Sequence, residues 1–538
     1  MRSRVISALP LLALGAFLLA PAVTVSAQSG IPLEDNCSSL LVTAGASVDG
    51  SVMITYTCDG EFLSHLEYTP AADHEPDSFV EGMAGGRIKQ VPHTYAVTGY
   101  INEHQVAIGE TTFGGRRELT NREGLLSYPA LMQLALERSR TAREAIQVMT
   151  SLVAEYGYRS SGESFSIGDK NEAWILEMIG PGRGGEGAIW VAVRIPDGHI
   201  AAHANKARIG TFPLDDPDNC LYSENVISFA EEHGWYDRHS REEFSFCEVY
   251  CPAGPSDLRV TEARVWSMFR RAAPSLELSA DYHRGVPGAE RYPLSIRPDS
   301  QLTVGDVFTL MRDHYEGTPF DMTQGIDAGP YGSPQRIRPL GWEVDGVSYM
   351  WERPISTQQT AFSFISQSRA DLPDPVGGVM WYSPDDTNFA CYAPFYCCIT
   401  SLPESYTIGN IRDFSWDSAW WVFNFVSNFS HLMYSEMIQD VREVQSAIEG
   451  DFLARQPVVE ATAAELLERD PALAMAYLTD YCTSHAEQLV TRWRKLGEYL
   501  IMNYNDGYIG GRPRGYHEAW LRKVLEKRPD QFRLPPPE

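Results

Sequence analysis

The chain has 538 residues and a formal net charge of -27, with 43 % hydrophobic and 21 % charged residues. This composition is typical of a soluble globular protein and excludes disorder of the whole chain, and the length suits one large domain with additions or several domains. Because so acidic a surface repels nucleic acids and anionic membranes, we expect no nucleic-acid partner and no polyanionic substrate.

The N-terminus has the pattern of a secretory signal peptide. Two arginines precede an apolar run that ends near Ala20, and residues 25–27 are small, as signal peptidase requires. The run is short for a membrane span. We therefore expect a signal peptide over residues 1–27, a periplasmic or extracellular location, and no stable membrane insertion after cleavage.

A β-hairpin is predicted soon after this leader. Residues 28–36 are short and polar and form the predicted propeptide, and Ser39–Val42 begins a strand. Asp49-Gly50 supplies a turn, and a second strand returns over Ser51–Tyr56. Cys37 therefore lies at the start of a hairpin strand.

Further strands and helices follow along the chain. We predict strands at Tyr95–Gly99, Gln105–Gly109, Ser164–Gly168, Ala173–Met178, Ala188–Ile195 and His199–Ala202. We predict helices at Tyr128–Ser139, at Thr141–Tyr156 and near Val304–His314, and the first two lie between pairs of strands. This order favours an α+β fold in which helices cover sheets.

The last part of the chain has a different pattern. From about Ser415, apolar residues recur at helical spacing, and Arg512–Arg533 is a basic stretch. We predict a catalytic domain over residues 37–414 and a helical region over residues 415–538 that ends in a surface helix and a tail.

Several common functional motifs are absent or lack their context. The glycine-rich segment 180–185 matches a dinucleotide-binding pattern, but a strand follows it instead of a helix, which indicates a hairpin loop. The sequence has no P-loop, no G-x-S-x-G and no H-E-x-x-H. The nine cysteines form no convincing zinc pattern, and in an exported chain they suggest disulfides with one thiol left over. We expect no metal and no cofactor.

Cys37 has three interpretations. It could form half of a disulfide or carry a lipid, although the polar residues 34–36 do not suit lipidation. It could also become the mature N-terminus and act as a nucleophile. A free α-amino group has a pKa of roughly 7.7–8.0, so it can accept the thiol proton at neutral pH on the same residue.

A resemblance favours the third interpretation. The segments 37–42, 45–53 and 102–116 resemble the C69-family cysteine dipeptidases, which belong to the N-terminal-nucleophile (Ntn) hydrolases. The likeness continues at residues 161–165, 203–205, 262–266, 312–318 and 356–360. It implies a four-layer αββα sandwich and hydrolysis of short peptides, mainly dipeptides, through a thioester.

The same resemblance implies roles for five residues. Cys37 corresponds to the nucleophile, and Asp59 to the acid that positions its amine. Asn102 and Asn205 correspond to residues near the oxyanion, with Asn205 as a donor. Arg264 corresponds to an arginine of the site that is able to lower the thiol pKa.

One segment departs from the family pattern. Many members have Arg-Asn-Glu-Asp where this chain has Tyr56-Thr57-Cys58-Asp59, so the aspartate is kept and the arginine is not. This difference can alter how the substrate carboxylate is held. Cys58 lies across the predicted hairpin from Cys37, which makes a structural or regulatory pairing of the two cysteines conceivable.

Maturation requires a second cut, after Asn36, made either by the Cys37 thiol itself or by another protease.

Two other functions stay open, namely an acylase-type amidohydrolase of the same superfamily and a non-catalytic exported binding protein. A metallopeptidase ranks third. The expected partners are dipeptide or short-peptide substrates, and a homo-oligomer is possible.

Overall fold

The computed structural model describes residues 37–83 and 86–536. The predicted signal peptide and propeptide lie outside the described residues.

The strands are mostly short, and the long ones are buried throughout. In chain order they are β1 (Ser39–Val42), β2 (Val52–Asp59), β3 (Tyr68–Thr69), β4 (Ala72–Asp73), β5 (Phe79–Met83), β6 (Gly86–Lys89), β7 (His93–Thr94), β8 (Val97–Thr98), β9 (Ile101–Asn102), β10 (Ala107–Thr112), β11 (Gly162–Gly168), β12 (Ala173–Ile179), β13 (Ile189–Arg194), β14 (Ile200–His203), β15 (Cys220–Tyr222), β16 (Ser295–Ile296), β17 (Gly341–Val344), β18 (Val347–Met350), β19 (Thr360–Ser368), β20 (Val379–Pro384), β21 (Ala393–Tyr396), β22 (Tyr508–Ile509) and β23 (Arg512–Pro513).

The α-helices include two long ones near the C-terminus. They are α1 (Tyr128–Arg138), α2 (Ala142–Tyr156), α3 (Ser228–Glu232), α4 (Phe246–Tyr250), α5 (Pro255–Ala272), α6 (Val304–Leu310), α7 (Asp374–Gly377), α8 (Ala419–Ser430), α9 (Tyr434–Arg469), α10 (Pro471–Asn503) and α11 (Glu518–Lys527). No helix of the described ranges is long and apolar enough to cross a membrane.

The predicted elements are present with shifted ends. The predicted strand at Tyr95–Gly99 is reduced to Val97–Thr98, because Gly99 takes φ +57 in the turn to β9. The predicted helix near Val304–His314 ends at Leu310. Met311 caps the helix, and its N–H donates to the Thr309 and Val307 carbonyls.

Two antiparallel sheets form the centre of the fold. The first sheet has the order β16-β14-β1-β2-β19-β20-β21, and the second has the order β15-β13-β12-β11-β10-β9-β8-β3. β2 of the first sheet packs on β10 and β11 of the second. The approach is close, because a Cβ on Gly109 of β10 would lie 3.0 Å from the Cβ of Tyr56 on β2.

Helices cover both sheets. α1 contacts β10, and α2 contacts β11 and β12 of the second sheet. α5 packs on β14, and α8, α9 and α10 pack on β20 and β21 of the first sheet. The fold is therefore mixed α+β, as predicted. The described residues all belong to one compact unit, and the predicted division at residue 414 falls in the loop before α8.

The expected disulfides are not formed. All nine cysteines carry free thiols and are buried. Most occupy the apolar core, where free cysteine packs as a small hydrophobic residue.

Candidate active site

Cys37 lies at the end of the first sheet, just before β1. Ser38 and Thr57 exchange both backbone hydrogen bonds, at 3.3 Å and 3.0 Å, so Cys37 opposes Cys58 across the β1–β2 pair. Opposed residues next to such a hydrogen-bonded pair bring their side chains closest together. The full-length chain buries Cys37 completely.

Asn205 holds the backbone nitrogen of Cys37. Cys37 N donates to Asn205 Oδ1 at 2.9 Å, and Asn205 Nδ2 donates to the Thr112 carbonyl at 2.7 Å. Asn205 follows β14 in the left-handed conformation, with φ +59, which asparagine tolerates better than most residues. The loop after β14 therefore fixes an amide group against the residue predicted as the nucleophile.

His203 anchors the end of β14. Its ring lies 2.7 Å from both Thr111 Oγ1 and Ser166 Oγ on the second sheet. Burial, aided by the Arg208 charge, lowers the pKa of His203 to about 3, so the ring is neutral. This contact joins the two sheets two residues before Asn205.

Arg264 on α5 also donates hydrogen bonds to Cys37 and Asn205. Its guanidinium donates to the Cys37 carbonyl at 2.6 Å, to Asn205 Oδ1 at 2.9 Å and to the Ala204 carbonyl at 3.1 Å. The side chain is fully buried, and burial, followed by the nearby Arg353 charge, lowers its pKa to about 9. Arg264 thus positions both Cys37 and Asn205.

Asp59 ends β2 on the other side of Cys37. Its carboxylate pairs with Arg353, and Thr360 Oγ1 donates to it at 2.5 Å. Both side chains of the ion pair are 1 % exposed. The Asp59 charge also contributes to raising the pKa of the Cys37 thiol. An arginine from the loop between β18 and β19 thus pairs with Asp59.

The Asn102 side chain bonds to the end of α1 and to the turn that follows β9. Its Nδ2 donates to the Leu136 and Ser139 carbonyls at the end of α1, and its Oδ1 accepts from the His104 and Val106 amides. These four bonds hold the 102–106 turn against α1. The structure therefore brings Cys37, Asp59, Asn205 and Arg264 together and gives Asn102 a role in positioning the turn.

Glu110 and Glu163 are site residues that the sequence analysis missed. Cys37 Sγ lies 3.6 Å from Glu110 Oε1, which also accepts from the Tyr56 hydroxyl. Glu163 lies diagonally across from Glu110 on β11, and the charge of Glu110 contributes to raising its pKa. A signal was available, since Glu110 is a charged residue directly after a predicted apolar strand that we ended at Gly109.

These surroundings keep the thiol protonated in the full-length chain. Burial, the Cys58 side chain and the Glu110 carboxylate raise the pKa of the Cys37 thiol well above its ordinary value. Within residues 37–83 and 86–536, no group of three acidic, histidine or cysteine side chains could hold a metal ion. Cys37 is the nucleophile candidate of the site, with an amide, a guanidinium and two carboxyl groups close to it.

The chain matches the model of Peptidase family C69 over residues 64–447, a range that starts after Cys37. It is similar to a protein named "Probable dipeptidase" from Latilactobacillus sakei, with 27 % identity over 69 % of this chain and 76 % of the relative. A "Probable dipeptidase" from Salmonella dublin is 27 % identical over 67 % of this chain and 80 % of its own length. "Dipeptidase A" from Lactobacillus helveticus is 24 % identical over 69 % and 77 %.

Proposed function

Since the chain belongs to peptidase family C69, we propose that it is an exported cysteine dipeptidase that hydrolyses short peptides, mainly dipeptides, through a thioester on Cys37. The names of the similar proteins support a dipeptide as substrate. The observation that carries the proposal is the position of Cys37, whose nitrogen and carbonyl are held by Asn205 and Arg264 beside the buried thiol.

In this proposal, removal of residues 1–36 creates the active group. The Cys37 nitrogen in the full-length chain is an amide, which cannot accept a proton. After cleavage it becomes an amine with a pKa of roughly 7.7–8.0. The amine takes the thiol proton, directly or through one water, and the thiolate attacks the carbonyl carbon of the dipeptide. The precursor is then an inactive zymogen.

The remaining steps use groups already near Cys37. The tetrahedral oxyanion accepts a hydrogen bond from Asn205 Nδ2, whose other proton goes to Thr112. The protonated amine gives its proton to the departing nitrogen, and the C–N bond breaks to leave a thioester. Water then attacks the thioester, with the amine again as base, and frees the N-terminal amino acid and the thiol.

Arg264 and Asp59 are positioning residues in this scheme. Arg264 holds the Cys37 carbonyl and the oxygen of Asn205, so it fixes the amine against the amide. Asp59, oriented by Arg353 and Thr360, places negative charge near the amine and stabilises its protonated form.

We also propose that the fold is the four-layer αββα sandwich of the Ntn hydrolases. The face-to-face packing of β2 on β10 and β11 supports two central sheet layers. The packing of α1 and α2 on the second sheet, and of α9 and α10 on the first, supports two outer helical layers.

The deciding experiment combines the N-terminus with activity. Intact mass and N-terminal sequencing are measured on purified protein that hydrolyses alanyl-alanine. We expect a chain that starts at Cys37, inactivation by iodoacetamide and no effect of a chelator. An active chain that starts at Gln28 would contradict the mechanism, and hydrolysis of acyl amides without dipeptides would favour an acylase.

A further inference from the structure

A carboxyl group lies beside the proposed nucleophile and has no task in the mechanism above. Glu110 on β10 is completely buried, and its Oε1 is 3.6 Å from the Cys37 sulfur. The Tyr56 hydroxyl also donates to Oε1, and Thr112 Oγ1 lies 3.5 Å from Oε2. Glu110 is therefore held in one orientation against the reacting atom.

The neighbouring Glu163 determines the charge of this group. Glu163 is completely buried, and its Oε1 accepts from Ser160 Oγ at 3.0 Å. Its Oε2 receives no hydrogen bond from a donor within the described ranges, and the strand register places it diagonally across from Glu110. Burial, followed by the charge of the nearby Glu110 carboxylate, raises the pKa of the Glu163 carboxyl well above its ordinary value. Glu163 therefore holds a proton, and the negative charge of the pair stays on Glu110.

The negative charge on Glu110 opposes formation of the Cys37 thiolate, which is the attacking group. A negative charge next to a thiol disfavours the thiolate, and Glu110 contributes to the raised pKa of Cys37. A cation that arrives with the substrate would bind this carboxylate and at the same time remove that opposition. A dipeptide carries such a cation, since its α-amino group is protonated at neutral pH.

The distance between the Cys37 sulfur and the Glu110 carboxylate suits binding of the α-amino group of a substrate. In an α-amino acyl unit, the amino nitrogen lies about 2.5 Å from the carbonyl carbon, from standard bond lengths and angles. A thiol poised for attack lies about 3–3.5 Å from that carbon. A carboxylate oxygen 3.6 Å from the sulfur can therefore reach hydrogen-bond distance of the amino nitrogen.

We propose that the Glu110 carboxylate, with Glu163 diagonally across from it, binds the free α-amino group of the substrate directly. This inference rests on the proposed function and adds its specificity. Glu110 is then a specificity residue that binds the substrate directly.

The test compares two substrates that differ only at this amine. Alanyl-alanine and propionyl-alanine have the same shape, but the second has a hydrogen in place of the ammonium. For the mature wild-type protein we expect kcat/KM to be about 10- to 100-fold higher for alanyl-alanine, the range of a charge-assisted hydrogen bond. Equal rates on the two compounds would overturn the inference and leave the dipeptidase function standing.

The variant Glu110→Gln provides the second comparison, after its mass confirms a chain that starts at Cys37. We expect the ratio of kcat/KM for alanyl-alanine to that for propionyl-alanine to fall about 10- to 100-fold, because only the first compound has an amine that the carboxylate can bind. The exposed Glu186→Gln is the control and should keep the wild-type ratio. An equal fall on both compounds would assign Glu110 to the thiol instead. Wild-type protein that hydrolyses neither compound would contradict the proposed function together with this inference.

Discussion

The backbone nitrogen of Cys37 lies 2.9 Å from Oδ1 of Asn205, a residue 168 positions further along the chain. The same oxygen accepts from Arg264 at 2.9 Å. A single amide oxygen thus joins the residues that precede β1, the loop after β14 and helix α5.

Replacement of Asn205 should impair catalysis more than folding. Asn205→Gly keeps the left-handed backbone accessible, whereas Asn205→Ala adds strain at φ +59. We expect both variants to lose about 100- to 1000-fold in kcat, because both lack the amide. Melting temperatures should separate them, with the alanine variant lower. A glycine variant with wild-type kcat would remove Asn205 from the mechanism.

Arg264→Lys should lower activity and stability although it keeps the positive charge. A lysine has one ammonium group and cannot reach the Cys37, Ala204 and Asn205 oxygens together. We expect kcat/KM to fall at least about tenfold, with a lower melting temperature. Arg271→Lys on the same helix is the control, since Arg271 is 27 % exposed and pairs with Asp313 through a single guanidinium nitrogen. Equal behaviour of the two variants would speak against the positioning role of Arg264.

The Asp59–Arg353 pair should behave as a buried ion pair. Arg353→Met removes the ion-pair partner of the buried Asp59 carboxylate, and we expect a loss of about 3–5 kcal/mol in the free energy of unfolding. The double variant Asp59→Asn with Arg353→Met should lose less, because no unpaired charge remains. Arg412→Met breaks the exposed pair with Glu61 and should stay close to wild type. Denaturant unfolding measures all three, and a double variant less stable than Arg353→Met would contradict the account.

Asp385 should make stability depend on pH. Burial raises its pKa to about 8, and its Oδ2 receives no hydrogen bond among the described residues. An unfolded aspartate titrates near about 4. The native state therefore holds a proton that the unfolded state lacks, so this contribution to stability is complete below about pH 4 and is lost as pH rises through 8, by at most about 1.4 kcal/mol per unit.

Asp385→Asn should abolish this dependence. Asparagine keeps the shape and tolerates the φ of +66 at this position. We expect the variant to be more stable than wild type at pH 8 and to show a flatter profile of melting temperature between pH 5 and 8. Asp413→Asn, at an exposed position, is the control. A profile for Asp385→Asn that is parallel to wild type would show that another group titrates.

Cys58 should make the enzyme sensitive to oxidants. Opposed residues at a position without backbone hydrogen bonds have Cα atoms about 4.5 Å apart, within the range that a disulfide spans. Hydrogen peroxide would convert the Cys37 and Cys58 thiols to a disulfide and itself to water. We expect the protein to lose the mass of two hydrogen atoms and to lose activity, and dithiothreitol should reverse both changes. Cys58→Ser should lack this reversible step, and an unchanged course in that variant would rule the disulfide out.

Local features of the fold follow from residues close in sequence. The β1–β2 hairpin was predictable because Gly50 takes φ +73 and the Asp49 carboxylate accepts from Ser51 N. The start of α2 was predictable because Thr141 Oγ1 accepts from Glu144 N. The sequence also predicted Cys37 as the nucleophile candidate, because the segments 37–42 and 45–53 resemble the C69 family and place this cysteine at the start of a hairpin strand.

Tertiary structure decided which groups surround that cysteine. Glu110, Arg264 and Arg353 are far from their site partners in sequence, and Asn102, although it lies within a matching segment, uses its amide on α1. Turn residues and helix caps act over a few positions, so a short stretch of sequence records them. The partners of Cys37 meet only because two sheets pack face to face and α5 crosses the end of one of them, and that packing depends on the whole chain.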